Sequence, residues 1–146
     1  MSEDVPSKLY TTDILALAVD LAAFPYDPTS ENRADIRSRS CGSTLAISIQ
    51  QSEAGAVMKL GLRVQACAVG QASAAIFARD ATGRTLEDLE REVAVLKVWL
   101  SGEVKAPHWA GIELLRPART YPGRHEAILM PWRAAILALS NAQTPS

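Results

Sequence analysis

The chain has 146 residues, enough for one domain with a single buried core. Apolar residues make up 48% and charged residues 21%, and 15 Lys+Arg against 16 Asp+Glu leave a formal net charge of −1 with no long run of one sign. That balance gives no electrostatic basis for binding nucleic acid or a membrane surface, and 5% aromatic content argues against a base-stacking platform. No apolar run approaches the ~20 residues needed to span a bilayer. The acidic, polar stretch from Met1 to Tyr10 is unlike a signal peptide. Two cysteines without an export signal point to the reducing cytoplasm, where a structural disulfide is not expected.

Thr11 or Thr12 is placed to cap a helix, with Asp13 in its first turn and Ile14, Leu17, Ala18 and Leu21 on one face to about Ala23. Pro25 and Pro28 stop it, and the chain to Asn32 reads as a loop. Residues 33–40 alternate charged with small or apolar side chains, which predicts a strand with one solvated face, where Arg33, Arg37 and Arg39 lie; a docking surface for an acidic partner is the alternative reading of these arginines. After Cys41-Gly42, residues 44–50 alternate again with Leu45, Ile47 and Ile49 inward. Residues 51–56 form a turn. The third run puts Met58, Leu60, Leu62 and Val64 on one face, with Lys59, Arg63 and Gln65 on the other. Three strands with short connections favour an antiparallel meander.

From Ala68 the spacing becomes helical, so Cys67 stands where a strand ends and a helix begins. Thr85 and Asp88 resemble a capping box, Leu86, Leu89, Val93, Leu96 and Leu100 form the next apolar stripe, and Gly102 ends it. A short helix is expected within residues 107–115 and a loop over 116–123. The last helix carries Ile128, Leu129, Trp132, Ile136 and Leu139; Pro131 either opens it or kinks it. Trp99 and Trp132 read as core. His108-Trp109 reads as a helix-start or loop pair. Strands first and helices afterwards make an α+β domain over residues 1–146: an N-terminal helix, a three-stranded antiparallel sheet, and helices on one face of it, with flexible tails at 1–8 and 142–146.

Cys41, Cys67 and His125 are the candidates for chemistry. Their wide spacing matches no zinc-finger or ribbon pattern, and free cysteines are commonly buried as small hydrophobes. Two features favour a site. Unpaired N–H groups at a helix N-terminus favour a thiolate at Cys67. A meander also brings the start of the second strand, beside Cys41, to the same sheet end as the end of the third. Cys67 as a nucleophile with His125 as base would be a cysteine-dependent enzyme, but no third residue or oxyanion motif accompanies the pair.

Three segments carry a resemblance to a known family. Cys41-Gly42-Ser43, the run from Ala66-Cys67 through Ala68-Val69-Gly70-Gln71-Ala72-Ser73-Ala74-Ala75, and Arg124-His125-Glu126-Ala127-Ile128-Leu129 resemble, in order, the motifs of the iron–sulfur cluster assembly scaffolds of the IscU, SufU and NifU N-terminal type. The family carries Cys-Gly-Asp in the first, a Cys before a Ser/Ala-rich helix in the second, and a third Cys, often after His, in the last. Here Ser43 stands for the aspartate and Glu126 for the third cysteine.

The resemblance implies a scaffold rather than an enzyme. It would hold iron, a cluster or zinc through Cys41, Cys67 and His125, with Glu126 as a further metal donor, since iron and zinc accept sulfur, nitrogen and oxygen. It implies a cysteine desulfurase and cluster-acceptor proteins as partners, and neither nucleic acid nor membrane. A relative that binds zinc or no metal and serves as a protein-interaction module is the alternative.

Overall fold

The computed structural model describes residues 11–39, 42–103 and 105–143; Cys41, the tail expected at 1–8 and residues 144–146 of the tail expected at 142–146 lie outside them. Thr11 caps the first helix, α1 (Thr12–Asp20), its Oγ1 accepting the Ile14 N–H at 3.2 Å. One 3₁₀ turn, Leu21–Ala23, continues it before Pro25. Ile14 and Leu17 are buried against the next helix, as the spacing predicts.

The sheet is the expected meander, in the order β1 (Asn32–Arg37), β2 (Thr44–Gln51), β3 (Val57–Gln65), both pairings antiparallel. Leu45, Ile47 and Ile49 face inward beside Val64, Leu62 and Leu60, their partners in register. Met58 departs from the expected alternation and is 50% exposed, because the β2–β3 register shifts at Gln50/Gln51 and leaves it unpaired as a bulge. The opposite face carries Arg33, Asp35, Arg37, Lys59 and Arg63. Part of that face is covered: the chain after α1 wraps from the β3 edge across it, with Leu62 N–H donating to the Phe24 carbonyl and Asp27 N–H to Ser48 Oγ. Gly61 makes room for this crossing, since a Cβ there would lie 2.0 Å from the Pro25 oxygen.

The helices fill the inner face. α2 (Ala68–Asp80) is buried on nearly every side from Val69 to Ala78, so it is the central helix rather than an amphipathic one. Its many alanines let α1 and the last helix approach closely. α3 (Leu86–Leu100) begins with the expected capping box, Thr85 Oγ1 accepting from Asp88 N–H while Asp88 accepts from Thr85 N–H. α4 (His125–Gln143) packs on β1, β2, α2 and α3 and holds Pro131 in its interior; of the two expected placements, His125 therefore opens the helix. Helix α4 also reaches past Ala142, where a tail was expected to begin.

Residues 116–123 are not the expected loop. Two 3₁₀ stretches, Ile112–Thr120 and Pro122–Arg124, occupy them, and the short helix expected within 107–115 starts only at Ile112. Tight i→i+3 turns are short-lived in sequence and tolerate a residue without an N–H, so Pro117 punctuates without breaking them. Phe77, Trp109 and Trp132 close the core, with ring centroids 5.2–5.4 Å apart. Trp109 Nε1 donates to the Ile76 carbonyl at 2.9 Å, which explains its burial beside an exposed His108.

Candidate metal centre

The register puts three chain segments at one end of the sheet. Arg37 pairs with Thr44 and Thr44 with Gln65, so the β1–β2 connection and the β3–α2 junction are neighbours. Ser38 N–H donates to the Ser43 carbonyl at 2.8 Å, closing the connection in which Cys41 falls by number. Gly42 beside it has φ +70°, a left-handed conformation that favours glycine.

Cys67 is the N-cap residue of α2, half-buried, and its Sγ makes no capping hydrogen bond. Its backbone is fixed instead by Gln71. The Gln71 N–H donates to the Cys67 carbonyl at 3.0 Å, and its Nε2 reaches back to the Ala66 carbonyl at 2.8 Å. Sequence reading passed over Gln71, although it lies inside the motif that carried the resemblance.

The start of α4 completes the end of the sheet. A Cβ on Gly70 would lie 3.5 Å from Ala127 Cβ, so the first turns of α2 and α4 are in contact. Ser73, fully buried, donates to the Ile128 carbonyl at 2.6 Å and locks the two helices together. Glu126 binds the sheet loop: its Oε1 accepts from Ser38 Oγ at 2.9 Å and from Arg39 N–H at 2.8 Å. From sequence, Ser38 was read on the small or apolar side of a strand and Arg39 on its solvated face. Alternation gave no sign that their backbone turns toward a helix 87 residues away.

His125 is half-buried, and its Nε2 lies 2.7 Å from the Arg119 carbonyl. A carbonyl only accepts, so Nε2 is the donor, and in the neutral ring Nδ1 is the nitrogen left with a lone pair. Arg119 is itself fixed, donating to the carbonyls of Trp99 and Glu103, with its guanidinium 4.9 Å from the Trp99 ring centroid. This is the arrangement in which an imidazole is oriented by one nitrogen and offers the other to an ion. Among the described residues no group of three or more Cys, His, Asp or Glu is close enough to hold a metal. Cys67, His125 and Glu126 alone therefore do not make a closed ligand set. No hydrogen bond joins Cys67 to His125, which leaves a nucleophile–base pair without its defining contact.

No family model matches the chain, and no curated protein matches it in sequence. Solved structures do. The N-terminal part of a nitrogen-fixing NifU-like protein from Brucella abortus superposes with a TM-score of 0.83 at 25% identity, over 96% of this chain and 99% of that one. The chain therefore has the fold of this NifU-like protein. A protein from Fervidobacterium islandicum AW-1, described as an iron–sulfur cluster assembly scaffold for the SUF system, shares the same NifU-like fold. Its TM-score is 0.79 at 17% identity, over 90% of this chain and 96% of that one. Both overlaps extend over most of the chain. Among the described residues no helix is long and apolar enough to cross a membrane.

Proposed function

We propose that this NifU-like chain is an iron–sulfur cluster assembly scaffold that takes iron or a cluster through Cys41, Cys67 and His125. One observation carries the reading: the loop holding Cys41, the helix start holding Cys67 and the helix start holding His125 are tied together at one sheet end through Glu126 and the Gly70–Ala127 contact. Thiolates from the two cysteines and Nδ1 of His125 supply soft and borderline donors suited to iron or zinc. Glu126 is the remaining candidate donor, with one oxygen already bonded to the loop. The cluster is cargo, received and passed on in the cytoplasm, so the chain turns over no substrate. Sulfur from a cysteine desulfurase would enter at Cys41 or Cys67, because neither imidazole nor carboxylate forms a persulfide.

A second reading rests on Glu126. The position where relatives carry a third thiol serves here to hold a loop, which suits a zinc-binding or metal-free interaction module. Anaerobic reconstitution separates the two. Iron and acid-labile sulfide retained per chain after desalting, with sulfur-to-iron charge-transfer absorption, are expected for the scaffold. Both should fall to background in Cys41→Ser and Cys67→Ser and drop partly in His125→Ala. A colourless protein with stoichiometric zinc favours the second reading, and retention unchanged in Cys67→Ser overturns the ligand set.

A further inference from the structure

The face of the sheet opposite α4 has a charge pattern that the metal centre does not use. In register, Asp35 of β1, Ala46 of β2 and Arg63 of β3 form one row, and Arg37, Thr44 and Gln65 form the next, nearer Cys67. These six line a cleft of about 370 Å³, floored by the small side chain of Ala46 and walled by the two arginines. Arg39 is exposed just beyond, where the loop leaves β1.

The described ion pairs involve Arg79, Arg84, Arg91 and Arg116; Arg37, Arg39 and Arg63 take part in none of them. Arg63 is nevertheless held in place, its guanidinium 4.4 Å from the Tyr26 ring centroid, so less side-chain entropy is lost when it is engaged. Three guanidiniums near one sheet end thus lie outside the described ion pairs, with Asp35 the one carboxylate lining their cleft, and together they set up a local positive field.

We propose that this cleft docks an acidic segment of a partner protein, whose carboxylates pair with Arg37, Arg39 and Arg63 beside the Cys67 end of the sheet. Guanidinium forks match carboxylates in paired geometry. Thr44 and Gln65 offer neutral partners between them, and Asp35 takes a hydroxyl or amide donor from the same segment. A nucleic acid fits less well, since its continuous phosphates would meet Asp35 and only a small basic surface. The proposal is independent of metal loading.

Fluorescence anisotropy of a rhodamine-labelled peptide alternating glutamate and serine, titrated with the full chain, tests it. Binding is expected to weaken with salt, and by about tenfold or more in Arg37→Glu and in Arg63→Glu. Arg37→Gln and Arg63→Gln, gentler on the fold, should show smaller losses in the same direction, with thermal unfolding as the check on structure. Lys97→Glu, exposed on α3, should bind like the natural chain. No binding of the peptide, equal loss in Lys97→Glu, or full binding by an Arg37→Glu/Arg63→Glu variant overturns the proposal. So does a labelled oligothymidylate that binds as tightly as the peptide.

Discussion

The two ends of this molecule are held by different physics. Behind the sheet, α2, α4 and the segment at Trp109 interlock through Phe77, Trp109, Trp132 and a bed of alanines, and burial does the holding. At the end of the sheet that holds the candidate site, the segments are joined by a few directed bonds: Glu126 to Ser38 and Arg39, Gln71 to Ala66, His125 to Arg119. Close packing has one good arrangement and resists change, whereas single hydrogen bonds exchange with water at little net cost. With the function proposed above, admitting and releasing a cluster would call for a rigid platform and a yielding rim. The division of labour here is of that kind.

The largest expected effect comes from breaking the platform. Trp132 is 1% exposed and makes edge contacts to two other rings, so Trp132→Ala should cost about 3–5 kcal/mol by denaturant titration. Trp132→Phe keeps a ring and removes an indole N–H that finds no acceptor among the described residues; it should cost under about 2 kcal/mol. Equal losses in the two variants would mean that ring packing is not what fixes this region.

Breaking the rim should cost less and act locally. Glu126→Ala removes an acceptor of two hydrogen bonds, with an expected loss of about 1–3 kcal/mol. Amide exchange at Arg39 should quicken far more than exchange along α2. Glu126→Gln retains a carbonyl oxygen in the same place and should recover most of both effects. If exchange at Arg39 is unchanged in Glu126→Ala, the carboxylate does not anchor the loop.

The same division explains what could be read from the sequence. The strands, α1, the capping box and the burial of Trp99 and Trp132 follow from periodicity and cap chemistry, which are local, and they stand as expected, except that β1 ends at Arg37 and leaves Ser38 and Arg39 outside the strand expected over residues 33–40. Met58 was misplaced because a bulge depends on the partner strand's register, which alternation in one strand does not contain. Residues 116–123 were misread because proline signals a turn without saying whether the turns repeat. At the site, the resemblance singled out Cys67, His125 and Glu126, but not the role that Glu126 plays toward Ser38 and Arg39. A bond across 88 residues leaves no trace in local spacing.

The smallest expected effect contrasts Glu126 with a second carboxylate. Glu92, half-buried on α3, has one carboxylate oxygen with no hydrogen-bond partner among the described residues. Its carboxyl is pushed above the ordinary value, first by loss of water on burial; Arg84, His108 and Arg91 oppose the shift, and Asp88 adds to it. A carboxyl whose folded value is raised binds its proton more tightly folded than unfolded. Stability is then greatest below the ordinary value and declines as pH rises through it toward the folded value. Glu92→Gln abolishes that decline. Relative to the natural chain it should gain stability as pH rises above the ordinary glutamate value, by no more than about 1 kcal/mol, seen as a difference in thermal midpoint that widens over that rise. A gap that stays constant with pH, or closes toward neutrality, would show that attraction to Arg84 and His108 outweighs the cost of burial. The rim carboxylate and the core-side carboxylate would then be equally well served by their surroundings.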